Sequence, residues 1–217
     1  MPLQYALFDL DDTLYPRDTP VMPAIGERIK TYLMDTLGLT YQEATERRAY
    51  FNYTYGTVLR GLLQEEAVDI DEYLAFVHDI PVAEYIRPNP KLAECLKALP
   101  LRKFIFTNSY RRHAENVLAV LGVSDAFEEI FDIRTVNYVS KPALHPYLTV
   151  VHRLGTTPET CVYIDDQSRN LKQPKLLGMT TVLVDAEPNQ WVDISVKNVV
   201  DACWALHYLV DYQANED

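Results

Sequence analysis

Short apolar runs alternate with amphipathic stretches along most of the chain. Runs rich in β-branched and aromatic residues, each flanked by polar or turn residues, predict five strands at residues 5–10, 103–108, 129–133, 161–165 and 180–184. Apolar residues at helical spacing predict helices over 91–99, 111–122, 145–155 and 170–178, and Pro174 predicts that the last of these begins late or kinks. This alternation predicts an α/β fold in which a parallel sheet carries helices on both faces.

The connection after the first strand is much longer than the others. Residues 15–87 contain only helical patterns: apolar positions from Ile25 to Leu37 share one helix face that ends at Gly38, and Thr40 with Glu43 fits a capping box. A crossover between parallel strands needs little more than about a dozen residues. The pattern therefore predicts an α-helical cap, residues 17–87, inserted into a core formed by residues 1–16 and 88–217.

Length and charge narrow the function classes. The chain has 217 residues, which suits one α/β domain or a core with a modest insertion. Its net charge of -11 disfavours binding to nucleic-acid polymers, but leaves open a small anionic substrate held by a local cation. The three cysteines are widely spaced, and the sequence has neither a signal-peptide pattern nor an apolar run long enough to span a bilayer. We expect a cytoplasmic protein that does not bind membranes; its oligomeric state stays open.

Pairs of acidic residues end two of the predicted strands. Asp9 and Asp11 follow the first strand, and Asp165 and Asp166 end the fourth. A single Asp after a strand is usually a turn or helix-cap residue, but ligands of open parallel sheets bind at the carboxyl ends of the strands, where two such pairs would converge. Crowded carboxylates repel one another unless a cation lies among them, and an all-oxygen set without His or Cys favours Mg²⁺.

Four segments carry a family resemblance. The stretch "DLDDT" resembles the D-x-D-x-T signature of the haloacid dehalogenase (HAD) superfamily, and "FIFTNS", "VSKPALHPY" and "VYIDDQSRN" follow it in the family's order. These segments supply Thr107, Lys141 and the second acidic pair. The resemblance implies a Rossmann-like core, and the early helical insertion is similar to the cap of the subfamily that holds the pyrimidine 5′-nucleotidases.

The resemblance and the spacing together imply a phosphoryl-transfer mechanism. Residues i and i+2 of a strand point the same way, so Asp9 and Asp11 can reach one substrate. Asp9 would attack phosphorus and form an aspartyl-phosphate, and Asp11 would serve as general acid and then general base. We expect neighbouring negative charges to raise the pKa of Asp11.

The resemblance also implies roles for the remaining motif residues. Thr107, helped by backbone amides near Asn108, would bind the phosphoryl oxygens, and Lys141 would neutralise charge that builds on them. Mg²⁺ would be bound by Asp9, by the carbonyl of Asp11 and by Asp166, with Asp165 acting through a water. The implied substrate is a small phosphorylated metabolite, with a pyrimidine nucleoside monophosphate as the best single candidate.

Several alternatives stay open at this point. A phosphatase or phosphomutase of small sugar phosphates would use the same site. A haloacid dehalogenase would need neither Asp11 nor a metal, and a regulatory protein could have lost the reaction. Asp12 fits a turn residue; Asn170 fits either a helix cap or a group that orients Lys141 or Asp166; His113 fits either a surface position or a substrate contact.

The cap offers two candidate substrate contacts. Tyr53 and Arg60 are seven residues apart and share a helix face if the helix continues through Gly56, although a kink there is the alternative. A Tyr ring suits a pyrimidine base, and an Arg suits its carbonyl oxygen. The competing structural interpretation is that Tyr53 packs between cap helices, while Arg60 pairs with Glu65 or Glu66.

Overall fold

A parallel sheet organises the molecule. The computed structural model describes residues 2–216, and the side chains of residues 2–213. In that part of the chain, six parallel strands pair in the order β3-β2-β1-β4-β5-β6. The strands are β1 (Tyr5–Phe8), β2 (Arg102–Phe106), β3 (Glu129–Phe131), β4 (Cys161–Asp165), β5 (Thr180–Val184) and β6 (Ile194–Val196). The predicted parallel α/β sheet is confirmed, and β6 is a short edge strand that the apolar pattern did not indicate.

Helices fill the connections between the strands. They are α1 (Val21–Leu37), α2 (Tyr41–Tyr55), α3 (Val58–Glu65), α4 (Ile70–Val77), α5 (Val82–Tyr85), α6 (Pro90–Ala98), α7 (Arg111–Leu121), α8 (Leu144–Leu154), α9 (Ser168–Leu177) and α10 (Val199–Glu216). Gly38 follows helix α1 in the left-handed conformation, and Thr40 with Glu43 forms the capping box of α2. Helices α1 to α5 all lie between β1 and α6, where the sequence predicts a cap. The division into core and cap domains stays a prediction.

Helix α9 differs from the prediction made from Pro174. The helix begins at Ser168, so the late start is wrong, and it runs through Pro174 to Leu177. Proline has no N–H to donate to the carbonyl four residues before it, which is that of Asn170. The buried hydroxyl of Tyr147 donates to this carbonyl at 2.8 Å and replaces the missing helix bond.

Alternating side chains of the strands build an apolar core on each face of the sheet. Ala6 and Phe8 of β1 pack on one face with α6, α7 and α10, whereas Leu7 packs on the other with α8, α9 and helices α1 to α4. Helices cover both faces of the sheet and leave the carboxyl ends of the strands open. Among the described residues, none of the helices has the length and apolar character needed to cross a bilayer.

Candidate active site

Three buried carboxylates meet at the carboxyl ends of β1 and β4. These strands are neighbours, with Phe8 opposite Ile164, so Asp9 and Asp165 lie side by side. One oxygen from each of Asp9, Asp165 and Asp166 lies within 4.8 Å of the others, and all three residues are buried. Burial raises the pKa of Asp9, and the charges of its two acidic neighbours act in the same direction. The cluster therefore requires a nearby positive charge to stay ionised.

Lys141 supplies one such charge from the loop between β3 and α8. Its Nζ donates to Asp9 Oδ1 at 2.6 Å and to the carbonyl of Phe106 at 2.7 Å, and it lies 3.4 Å from Asp165 Oδ2. Burial alone would lower the pKa of Lys141, but the attraction of Asp9 and Asp165 outweighs it and raises the pKa above its usual value. Lys141 is therefore a charged ammonium held against the proposed nucleophile.

Asp165 is occupied by donors from the protein. The Tyr163 hydroxyl donates to Oδ2, the backbone N–H of Gln167 donates to Oδ1 at 2.7 Å, and Asn170 Nδ2 lies 3.0 Å from both oxygens. These bonds fix the carboxylate beside Lys141. Asn170 thus orients Asp165, the partner of Lys141, whereas the interpretation from the sequence named Lys141 or Asp166.

Asp166 keeps one oxygen without a protein partner. Arg17 donates to Asp166 Oδ2 at 2.8 Å and lies 3.2 Å from its backbone carbonyl, but in residues 2–213 no donor reaches the buried Oδ1. Thr13 links the cluster, because its hydroxyl donates to Asp9 Oδ2 and accepts from the backbone N–H of Asp166, both at 3.1 Å. Burial and the charge of Asp165 raise the pKa of Asp166 to about 6, against the effect of Arg17.

The carboxylate oxygens of this cluster fit a hard divalent cation. The orphaned Asp166 Oδ1 is a buried acceptor that needs a positive partner, and a buried acceptor without one is costly. The cluster offers oxygen ligands only, which suits Mg²⁺ better than a soft metal. Asp9 and Asp166 are the residues with oxygens best suited to direct contact, whereas Asp165 already has four donors around it.

Asp11 lies in a separate hydrogen-bond network. The Tyr15 hydroxyl donates to Asp11 Oδ1 at 2.6 Å, His113 Nε2 lies 2.8 Å from the same oxygen, and the Ser109 hydroxyl donates to Oδ2. Burial acts to raise the pKa of Asp11, but His113 and the hydrogen bonds outweigh it and lower the pKa below its usual range. The predicted rise of this pKa is wrong, because the near neighbours of Asp11 are hydrogen-bond donors rather than acids.

The structure also places the residues after β2. Thr107 is buried and directly follows Phe106, whose carbonyl accepts from Lys141. The Thr107 hydroxyl accepts from the backbone N–H of Ser109 at 2.9 Å. The side chain of Asn108 is paired with the backbone of Lys141: its Oδ1 accepts from the Lys141 N–H at 2.8 Å, and its Nδ2 lies 3.3 Å from the Lys141 carbonyl. Asn108 thus joins the loop of Lys141 to the end of β2.

The turn after the first acidic pair contains Asp12. This residue has a left-handed φ of 60°, and backbone N–H groups of Thr13 and Leu14 close the turn on the Leu10 carbonyl. Burial, together with the charges of Asp166 and Asp11, raises the pKa of Asp12 to about 7. Asp12 is thus a turn residue, as predicted, that lies beside the cluster.

Sequence comparison identifies the family. The haloacid dehalogenase-like hydrolase family matches residues 3–173, which include the acidic cluster and Lys141. The chain belongs to this family of hydrolases. The expected superfamily is therefore confirmed, and so is its Rossmann-like core.

Relatives of this HAD hydrolase include proteins named for phosphate chemistry. "Phosphate metabolism protein 8" of Saccharomyces cerevisiae is 28% identical over 200 residues, covering 85% of this chain and 62% of the yeast protein. The chain thus spans less than two thirds of the length of this relative. A "glyceraldehyde 3-phosphate phosphatase" of Methanocaldococcus jannaschii is 24% identical, covering 89% of this chain and 92% of the archaeal protein.

Solved structures share the fold of this hydrolase. A HAD phosphatase from Thermococcus onnurineus is 20% identical, with a TM-score of 0.64, over 94% of this chain and 98% of its own. An L-2-haloacid dehalogenase from Xanthobacter autotrophicus is 17% identical, with a TM-score of 0.59 and the same coverage. At these identities the likeness shows the fold alone.

The helix break at Gly56 agrees with the kinked alternative rather than with one continuous helix. Helix α2 ends at Tyr55, and Gly56 adopts a left-handed φ of 85° before α3 begins at Val58, so one helix does not carry Tyr53 and Arg60. Tyr53 is 92% exposed, and the predicted packing between cap helices is wrong.

Arg60 also differs from its structural interpretation. Arg47 forms the ion pairs with Glu65 and Glu66, at 2.8 and 2.5 Å. Within the described side chains, Arg60 makes no such pair with either acid, and the predicted pairing is wrong. A Cβ added to Gly56 would lie 4.0 Å from Ser140 Oγ, so the turn that leads to Arg60 approaches the loop of Lys141.

Long-range contacts of the site were not predicted from the sequence. Arg17 is 149 positions from Asp166, and His113 is 102 positions from Asp11, to which it was not assigned. No motif connects either pair. For His113 the surface alternative is wrong, because the ring is fully buried.

Proposed function

We propose that this hydrolase is a Mg²⁺-dependent phosphomonoesterase that works through an aspartyl-phosphate on Asp9. The observation that carries the proposal is the buried contact between Asp9 and Lys141 beside two further carboxylates, one of which has an unpartnered oxygen. Such a site holds a carboxylate nucleophile next to a fixed positive charge. That arrangement suits attack on an anionic phosphoryl group.

Each residue has a defined part in the proposed reaction. Asp9 attacks phosphorus while the alcohol leaves with a proton from Asp11, which must carry that proton against its lowered pKa. Water then releases phosphate with the Asp11 carboxylate as base. Lys141 neutralises charge on the phosphoryl oxygens, and Thr107 with backbone amides near Asn108 positions them. Mg²⁺, held by Asp9, the Asp11 carbonyl and Asp166, with Asp165 through a water, would stabilise the same charge.

The haloacid dehalogenase reaction is less well supported. It needs neither a metal site nor an acid at Asp11, whereas this chain carries both a cluster fit for a cation and a firmly hydrogen-bonded Asp11. Relatives named for phosphate metabolism and for a sugar-phosphate phosphatase also favour phosphate ester hydrolysis.

The substrate proposed first is a pyrimidine nucleoside monophosphate. The motif segments and the cap resemble the pyrimidine 5′-nucleotidase branch, and Arg60 offers a donor close to the turn that meets the Lys141 loop. A small sugar phosphate is the second candidate, because two archaeal relatives are named glyceraldehyde 3-phosphate phosphatase. A phosphomutase would act on the same class of compound and return the phosphoryl group to it.

A phosphate-release screen tests the activity and the substrate together. The panel contains UMP, CMP, IMP, glyceraldehyde 3-phosphate, other sugar phosphates, phosphoglycolate and p-nitrophenyl phosphate, with Mg²⁺ or with EDTA. We expect Mg²⁺-dependent release, fastest for the pyrimidine nucleotides. Undiminished release in excess EDTA would contradict the metal requirement, and a preference for triose phosphate would select the second candidate.

A variant of Arg60 tests the cap contact. Arg60→Ala should lower kcat/KM for UMP or CMP by about tenfold or more, the effect of one lost hydrogen bond from a charged group. It should leave p-nitrophenyl phosphate nearly unaffected. Arg153→Ala, an exposed arginine of α8, is the matched control. An equal fall for both substrate types would remove Arg60 from the substrate site.

A further inference from the structure

A buried histidine contacts the proposed acid–base residue from helix α7. The His113 side chain is fully buried, and its Nε2 lies 2.8 Å from Asp11 Oδ1. A carboxylate only accepts hydrogen bonds, so the His113 Nε2 atom carries a hydrogen and is the donor of this bond. Hydrogen bonds that involve a charged group are among the stronger ones in proteins. His113 therefore helps to fix the direction in which Asp11 presents its oxygens, together with the hydroxyls of Tyr15 and Ser109.

The cap side holds the ring of His113 in place. His78, directly after α4, donates from Nδ1 to the Leu74 carbonyl at 2.8 Å, and its ring centroid lies 5.1 Å from that of His113. Both rings line a cavity of about 430 Å³ between α1, α4 and α7. One face of His113 thus rests on the helical segment 17–87, while its Nε2 reaches Asp11.

We propose that His113 is a positioning residue for Asp11 in hydrolysis of the aspartyl-phosphate, an inference that rests on the proposed function. In that step a water oxygen bonds to phosphorus, the bond from phosphorus to the Asp9 oxygen breaks, and its electrons return to the Asp9 carboxylate. The proton of the water passes to Asp11. A carboxylate held in one orientation by His113 accepts this proton without first having to be reoriented.

Kinetics with an aryl phosphate distinguish an effect of His113 on the second step alone from an effect on both steps. An activated leaving group needs little protonation, so loss of His113 should slow the second step and spare the first. His113→Phe should lower kcat by about tenfold or more, the effect of one hydrogen bond to a charged group. KM should fall by the same factor as kcat, so that kcat/KM stays unchanged. The reason is that kcat/KM reports only the steps up to phosphoryl transfer. A burst of p-nitrophenol should precede the slower steady state.

A pair of amide variants supplies the matched control. The Gln amide nitrogen can reach the position of the histidine Nε2, whereas the shorter Asn amide reaches only that of Nδ1. His113→Gln should therefore recover part of kcat, and His113→Asn should behave like His113→Phe. In an Asp11→Asn background, replacing His113 should cost little further rate, because the two side chains act as one unit. His145→Phe, an exposed histidine of α8, should match the wild type.

The outcomes distinguish failure of this inference from failure of the proposed function. A wild-type protein without phosphatase activity would refute the function itself. An active wild type whose His113 variants keep a normal kcat would overturn the positioning role. Equal losses of kcat and kcat/KM, with Gln no better than Asn, would assign His113 to packing alone. If His113→Phe does not fold, the comparison of Gln with Asn decides.

Discussion

Replacing Lys141 with Met should destabilise the protein strongly. The Nζ atom lies 2.6 Å from Asp9 Oδ1 and 3.4 Å from Asp165 Oδ2, and all three side chains are largely or fully buried. At an effective dielectric of about 20, Coulomb attraction is about 6 kcal/mol for the first pair and about 5 kcal/mol for the second. Desolvation cancels much of this gain. Removing one partner of a buried pair typically costs about 3–5 kcal/mol, because the other charge stays buried, and we expect a loss of that size.

Urea unfolding followed by far-UV circular dichroism measures this loss. The experiment is done in EDTA, so that no divalent cation replaces the missing charge. Lys175→Met is the matched control, since Lys175 pairs with Asp193 at a partly exposed position and should lose at most about 1 kcal/mol. Turnover of p-nitrophenyl phosphate by Lys141→Met should also fall by about 10²–10³-fold. A loss of stability in Lys141→Met no larger than that in the control would show that the buried ion pairs of Lys141 do not stabilise the fold.

Three further predictions concern separate parts of the structure. Asp166→Asn should weaken Mg²⁺ binding measured by calorimetry, and an unchanged affinity would remove this residue from the ligand set. Tyr147→Phe should cost about 1–3 kcal/mol of unfolding free energy, because it leaves a helix carbonyl unpaired; Pro174→Ala in that background should recover part of it, and no recovery would contradict the account of α9. Gly61→Ala should lower thermal stability, since the added Cβ would lie 2.2 Å from the Phe51 ring; an unchanged melting temperature would contradict that packing.

Local sequence patterns were sufficient to predict five of the strands of the central sheet. The five apolar runs became strands because both faces of the sheet are covered, which makes the buried part of each strand mostly apolar. Edge strand β6 has only three residues and none fully buried, so it lacks that signal. The acidic pairs were found because strand ends place residues such as Asp9 and Asp165 by backbone register alone.

Contacts between distant segments were not accessible from the sequence. The donors around Asp11 come from its own loop, from the end of β2 and from α7, and they reverse the expected direction of its pKa shift. Arg17 reaches Asp166 only because the turn after β1 folds over the end of β4. The break at Gly56 depends on a left-handed backbone angle, and glycine permits this angle without requiring it.

Detection of the phosphoenzyme tests directly whether Asp9 is the nucleophile. Asp11→Asn should slow hydrolysis of the intermediate, so this variant is mixed with p-nitrophenyl phosphate and Mg²⁺, quenched in acid, and digested for mass spectrometry. We expect the peptide containing Asp9 to gain the mass of one phosphoryl group. We expect no such gain when EDTA replaces Mg²⁺, or when Asp9→Asn is added. An active wild-type enzyme with the phosphoryl group on another residue, or with none on any peptide of the slowed variant, would contradict Asp9 as the nucleophile.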